Sequence, residues 1–332
     1  MKLLVICDYR ENYKDYSLPQ QDKLYSDHPN QENIKEIIFA AKALGYDCEY
    51  FGGIPELIQA IDNHEEFSNC LFLNFTDGMD EDYSRVQAPV LLDILHVPYS
   101  GSDVFPSVLM NNKHFCKQAL KDSGILMSKS CIVNKLIPIN ERELNKWKFP
   151  LFIKPNCEGS SLGISQRSIC YTMEELKEEC HKLLNNFTEL IIEEYIFGID
   201  VTNYLIGNEN SYIINDVITS KLFNESPYAI YGIEEKQNKL RTLFFNDEYF
   251  PPQIIKDIQE KSVTIAQTIG VRDICRIDYR VNPDTNEIYF IEINSAPRFS
   301  STSEIGFIAQ KRNLSFTQIV QHYIKTVLKR IS

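Results

Sequence analysis

The segment from Asp273 to Ser303, DICRIDYRVNPDTNEIYFIEINSAPRFSSTS, constrains this chain more than any other. Two runs of alternating apolar and polar residues, CRIDYRV and EIYFIEIN, are separated by the turn-forming NPDTNE, which is the pattern of a β-hairpin. Strand side chains alternate between faces, so Arg276, Asp278 and Arg280 are expected on one face, and Phe290, Glu292 and Asn294 on one face. An odd-count loop such as residues 283–287 sets Asp278 opposite Glu292. Two carboxylates and an amide oxygen converging there make a hard, oxygen-rich site of the kind Mg²⁺ takes when it also holds phosphates. A solvated strand face is the competing reading, and only the rest of the chain decides between them.

A chain of 332 residues exceeds one ordinary core and is expected to divide into two or three domains. Its net charge of −12 and its lack of basic clusters argue against a nucleic-acid partner, while a few local lysines suffice for a nucleotide. The nine cysteines are dispersed, with no C-x-x-C and no zinc spacing, which suits a reduced cytoplasmic protein. MKLLVICDYR reads as a short buried strand and not a signal peptide, and no apolar run approaches a membrane span. A cytoplasmic protein without a membrane partner is expected.

The amino-terminal third alternates strands (3–7, 48–51, 70–75) with helices (33–44, 56–62, 87–95), the rhythm of a parallel α/β domain. One helix is expected over 110–123, carrying Lys113 and Lys117 at i and i+4. Strands at 129–133, 150–154, 164–169 and 190–195 with a helix at 173–184 form a small α+β middle domain. Strands at 200–206 and 211–217, a helix at 252–269, the hairpin and a helix at 316–329 complete the chain. The expected division is 1–110, 111–195 and 196–332.

Two further stretches carry chemistry. Phe152-Ile153-Lys154-Pro155-Asn156-Cys157-Glu158-Gly159-Ser160-Ser161-Leu162-Gly163 runs from a strand ending in lysine into a Gly/Ser loop. Such a loop can turn backbone N–H groups onto phosphate oxygens while the lysine adds a charge, although an ordinary turn is equally consistent. Leu190–Asp200, LIIEEYIFGID, ends an apolar strand in two acids, a glycine turn and a third acid. Strand-end carboxylates and backbone groups can meet an adenine amino group and ribose hydroxyls, and an edge strand with solvated acids is again the alternative.

Taken in order, the lysine helix, K-P-x-x-E-G-S-S-x-G, E-E-Y-x-x-G-x-D and R-I-D…E-I-N resemble the ATP-grasp superfamily, in particular its D-alanine–D-alanine ligase branch. The likeness extends from about residue 73 to about 316 and includes VQAPVLLDILHVPYSGSD. It implies an ATP-grasp fold: an amino-terminal parallel α/β domain, a small middle domain and a carboxy-terminal mixed-sheet domain. It also implies an ADP-forming ligase that joins a small-molecule carboxylate to an amine through an acyl phosphate. Lys113, Lys154, Ser160 and Ser161 would meet ATP phosphates; Glu193, Glu194, Tyr195 and Ile196 the adenine; Asp200 the ribose. Asp278, Glu292 and Asn294 would hold two Mg²⁺ ions, or Mn²⁺, and Arg276, Ser160 and the lid residue Lys236 would serve catalysis. Ser303 would bind the carboxylate of the attacking amino acid. Ligases of this branch are often homodimers.

Three departures bear on the substrate. The branch's Gly-Gly and Ser-Glu-Arg-Glu signature is absent from VICDYRENYKDYS, Gln237 replaces a tyrosine of the lid, and Ser295-Ala296-Pro297-Arg298 replaces Thr-x-Pro-Gly. Arg298 either points to solvent or contacts a further carboxylate or phosphate of a different substrate. The expected substrates are amino acids or a small metabolite, and D-alanine–D-alanine ligase itself and a nucleotide-binding module without ligase activity are the alternatives.

Overall fold

The computed structural model describes residues 1–11, 28–79, 83–159, 161–209, 211–222 and 241–332, which form three sheets. In the first, β1 (Lys2–Ile6) lies between β2 (Asp47–Gly52) and β3 (Cys70–Asn74), all parallel. Strand alternation explains why β1 is apolar throughout. Leu3 and Val5 pack toward α1 (Gln31–Ala43), and Leu4 and Ile6 toward α2 (Ile54–Asp62) and α3 (Gln87–Ile94). Asn30 caps α1, its side-chain oxygen accepting the Asn33 N–H at 2.9 Å.

The helix expected over 110–123 is two helices, α4 (Val104–Asn111) and α5 (Lys113–Ala119). Asn112 between them is extended and caps α5 by accepting the Phe115 N–H at 2.9 Å. The break sets Lys113 in the first turn of α5, facing the Gly/Ser loop.

The second sheet has the order β4 (Ser130–Asn134), β7 (Glu189–Glu194), β5 (Leu151–Pro155), β6 (Ile169–Cys170), all antiparallel. Beside its strands lie the short α6 (Glu141–Leu144) and α7 (Met173–Leu183), which buries Leu176, Cys180 and Leu183 against it. The strand expected over 164–169 shrinks to β6. Residues 166–168 wind into a 3₁₀ turn instead, in which Ser165 and Ser168 each accept a backbone N–H near the other's position.

The third sheet is antiparallel, in the order β10 (Arg241–Phe245), β9 (Ser211–Leu222), β8 (Ile199–Asn208), β11 (Ile274–Val281), β12 (Ile288–Asn294). Cys275, Ile277, Tyr279 and Val281 of β11 pack toward α8 (Pro252–Ile269), which leaves Arg276, Asp278 and Arg280 on the opposite face. The last helices, α9 (Glu304–Lys311) and α10 (Phe316–Ile331), share one core with α1, β1 and β8. Near its end Arg330 grips the fully buried Asp273 at 2.9 and 2.7 Å, and the Gly101 N–H donates to the same carboxylate at 2.9 Å. First domain, hairpin and C-terminal helix are thereby joined at one point. Among the described residues no helix is long and apolar enough to cross a membrane.

Candidate active site

A cavity of about 900 Å³ opens between the second and third sheets, and the hairpin β11–β12 forms part of its wall. Asp278 pairs with Glu292 and Arg276 with Asn294 across the ladder. The turn alone does not produce this register. Val281 pairs with Ile288 and Tyr279 with Phe290, a frame that would set Asp278 against Ile291. The loop is therefore even, contrary to the odd count expected, and a β-bulge at Ile291 shifts the pairing by one. The bulge also corrects the expected face: Phe290 is buried against Tyr279, while Glu292 and Asn294 line the cavity.

Asp278 accepts hydrogen bonds from Arg276 at 2.8 Å, Asn294 at 3.1 Å and the Thr202 hydroxyl of β8 at 2.8 Å. Glu292 lies 3.6 Å from the Lys113 ammonium. Two carboxylates face each other with an amide beside them, all three lining the cavity, and this donor set fits a hard divalent cation such as Mg²⁺.

Above the hairpin, Lys154 at the end of β5 and Lys113 of α5 are both buried. Lys113 donates to the Glu158 carbonyl and lies 3.4 Å from the Asn156 carbonyl, which ties α5 to the Gly/Ser loop. Burial pushes its pKa down, with Glu292 opposing. Lys154 is 3.0 Å from Glu193, and Lys117 reaches the other oxygen of the same carboxylate. Ser128 also donates to Glu193, at 3.1 Å. Burial alone would raise the Glu193 carboxyl, but the two lysines outweigh it and hold the pKa down to about 2. Lys154 in turn is raised: burial lowers it, and Glu193, Glu292 and Asp278 together prevail.

The loop itself turns through left-handed backbone at Ser161 and Gly163. A Cβ on Gly163 would stand 2.7 Å from Pro155 Cγ and 2.8 Å from Phe187 Cε2, so glycine is required there. Ser160, like Lys236 and Gln237 of the expected lid, lies outside the described residues.

On the far wall Asp200 pairs with Arg280 at 3.0 Å, and Arg280 also donates to the Tyr195 hydroxyl at 3.0 Å and the Ile196 carbonyl at 3.1 Å. Burial raises the Asp200 carboxyl, against the pull of Arg280. Glu194, one residue along from Glu193, turns to Lys129 at 3.1 Å and the Lys148 N–H at 3.0 Å. Ser303 donates to the carbonyls of Arg298 and Ser300, 2.9 Å from each. Arg298 is exposed at the cavity wall.

Sequence reasoning missed several of these partners. Lys117 carried the i, i+4 signal of Lys113, and Arg280 shared the alternation of Arg276, yet neither was assigned a role. The ion pairs Arg85–Asp77 at 2.7 Å, eight residues apart, and Arg241–Glu304 at 2.6 Å, far apart in sequence, both stand at the cavity wall, and no sequence motif marks them.

Two sheets clasp the cavity, with buried lysines above and an acidic hairpin below, an arrangement suited to a nucleotide held with a divalent cation. The family model for the D-ala D-ala ligase C-terminus matches residues 125–325, and the chain belongs to that family of ADP-forming ligases. The D-alanine–D-alanine ligase of Aquifex aeolicus is 29% identical over 69% of this chain and 74% of its own; that of Desulforamulus reducens is 27% identical over 99% of each. The Bacillus anthracis D-alanine–D-alanine ligase complexed with ATP superposes with a TM-score of 0.74 at 17% identity, covering 99% of this chain and 98% of that one. The VanG D-Ala:D-Ser ligase of Enterococcus faecalis gives 0.73 at 19% identity, covering 98% and 99%.

Proposed function

We propose that the protein activates a small carboxylate with ATP and joins it to the amine of an amino acid, releasing ADP and phosphate. The observation that carries this reading is the pairing of Asp278 with Glu292 beside Asn294, facing Lys113 and Lys154 across one cavity. A substrate carboxylate oxygen attacks the γ-phosphorus and ADP leaves, forming an acyl phosphate. The amine nitrogen then attacks the acyl carbon, the bond to phosphate breaks, and the nitrogen loses a proton as the amide forms. Asp278, Glu292 and Asn294 would hold Mg²⁺, which supplies charge neutralisation for the phosphoryl oxygens when bound. Lys113 and Lys154 take the phosphate charge, and Arg276, fixed by Asp278, offers its guanidinium where the transferred group becomes more negative. Asp200 and the backbone at Tyr195 and Ile196 line the nucleoside end. The acyl phosphate would hydrolyse on contact with water, so the chemistry requires that water be kept from the cavity while it exists.

The names of the relatives favour D-alanine as the first substrate, and the second varies within the fold, since one neighbour is a D-Ala:D-Ser ligase. The test is ADP release with Mg²⁺ against pairs of D- and L-amino acids and small acids. Turnover that needs both a carboxylate and an amine supports the reading. ATP binding with no amine-dependent turnover for any pair defeats it in favour of a nucleotide-binding module.

A further inference from the structure

Six of the cationic side chains lining the cavity lie within 4 Å of a carboxylate: Arg85, Lys113, Lys154, Arg241, Arg276 and Arg280. Arg298 also lines the cavity, and among the described residues no carboxylate pairs with it. Its backbone is nonetheless fixed. Phe299, next in the chain, is buried and packs on Phe75, Phe316 and Tyr323 with ring centroids 5.6, 5.6 and 5.3 Å away. The Ser303 hydroxyl braces the carbonyl of Arg298 itself, and the Ser301 N–H donates to Glu36 of α1 at 3.1 Å. Gly306 permits the closeness of this loop to α9, because a Cβ there would overlap the Ser301 carbonyl. A guanidinium on a braced loop, exposed in a cavity whose other cations are matched, is preorganised for an anion that arrives with the substrate.

The anion is a carboxylate and not a phosphate. One guanidinium matches one carboxylate through two parallel hydrogen bonds, whereas a phosphate monoester near two negative charges would stay half neutralised by a single cation. Ser303 is a poorer candidate for this contact, because its proton is engaged by two carbonyls. Arg298 also follows Asn294 by four residues, beyond the proposed metal ligands in the chain.

We propose that Arg298 selects an amine substrate that carries a carboxylate, binding that group and rejecting its neutral amide. This rests on the ligase reading above for the word substrate. The carboxylate can be the α-carboxylate of any amino acid or the side-chain carboxylate of an acidic one, and two arms separate these sources: alanine against alaninamide, and aspartate against asparagine, each in both configurations as the amine. In one arm the wild type should favour the carboxylate over the carboxamide by roughly 10–100-fold in kcat/KM, the worth of a charge-assisted hydrogen bond. Arg298→Gln and Arg298→Gly should bring that ratio toward one. An unchanged ratio in both variants, or no discrimination by the wild type in either arm, overturns the proposal. The same pairs are measured by calorimetric binding to the full chain saturated with a non-hydrolysable ATP analogue and Mg²⁺. Binding discrimination that vanishes in the variants sustains the Arg298 assignment even where no pair turns over, an outcome that defeats only the ligase reading.

Discussion

Lys117, Lys154 and Glu193 form a buried unit whose members depend on one another. Two ammonium groups can lie side by side away from water only because the carboxylate stands between them. Replacing Glu193 by Gln should therefore lower the unfolding free energy by about 3–5 kcal/mol, read from urea titrations at neutral pH. Lys117→Met should cost less, because Lys154 still pairs with Glu193, and the double variant should cost less than the sum, because Met removes one of the two ammonium groups that Gln strands. Strict additivity would show that the three groups act separately. Glu292 differs in being partly open to the cavity, where Glu292→Gln keeps the shape and removes the charge. Turnover should fall at least about a hundredfold, by the scale of losing one electrostatic stabiliser, with an unaltered circular dichroism spectrum. Retained turnover would remove Glu292 from the proposed metal site.

Much of the element scale was legible from local pattern. The alternation of CRIDYRV and IYFIEIN announced the hairpin, and the Pro252–Ile269 helix came out with both its ends. The bulge at Ile291 was not legible, since nothing in EIYFIEIN distinguishes a strand with an extra residue from a regular one, and the face of Phe290 was misread as a result. The break at Asn112 left a readable trace, an Asn-Lys start to a helix, but apolar spacing on both sides masked it. The ion pairs of Arg241 with Glu304 and of Arg280 with Asp200 join residues far apart in sequence, so no local pattern names the partners. The Gly/Ser loop offers the clearest test at this scale. Gly163→Ala adds a Cβ in left-handed backbone and against Pro155, so it should cost about 1–3 kcal/mol of stability. The same substitution should raise the KM for ATP, because the loop it distorts carries the carbonyl that holds Lys113. A variant with wild-type KM would show that the loop does not set the nucleotide site.

Across the whole molecule, the same carboxylates that shape the cavity also hold its walls together, so acid should dismantle both at once. Glu193 joins the second sheet to α5, and Glu304 of α9 joins Arg241 of β10 and the Tyr204 hydroxyl of β8. Burial would raise both carboxyls, yet the neighbouring cations, Lys117 and Lys154 for Glu193 and Arg276 and Arg241 for Glu304, hold each at about 2, below the ordinary 4.5. A carboxyl depressed in the folded state contributes stability that is fully present above 4.5 and lost as pH falls toward 2. His114 and His322, lowered by burial from 6.5, add a loss in the same direction as pH drops below 6.5, where the unfolded chain takes up protons first. Asp8 and Asp200 oppose it: burial raises them from 3.8, so they favour the folded state as they protonate. The two glutamates each bridge separate elements of the cavity wall, so their loss is expected to prevail. Urea titrations at pH 7, 5 and 3 should therefore show a shallow decline followed by a steep one, and the steep limb should flatten in the double variant Glu193→Gln/Glu304→Gln. A steep limb unchanged in that variant would move acid sensitivity away from the cavity walls.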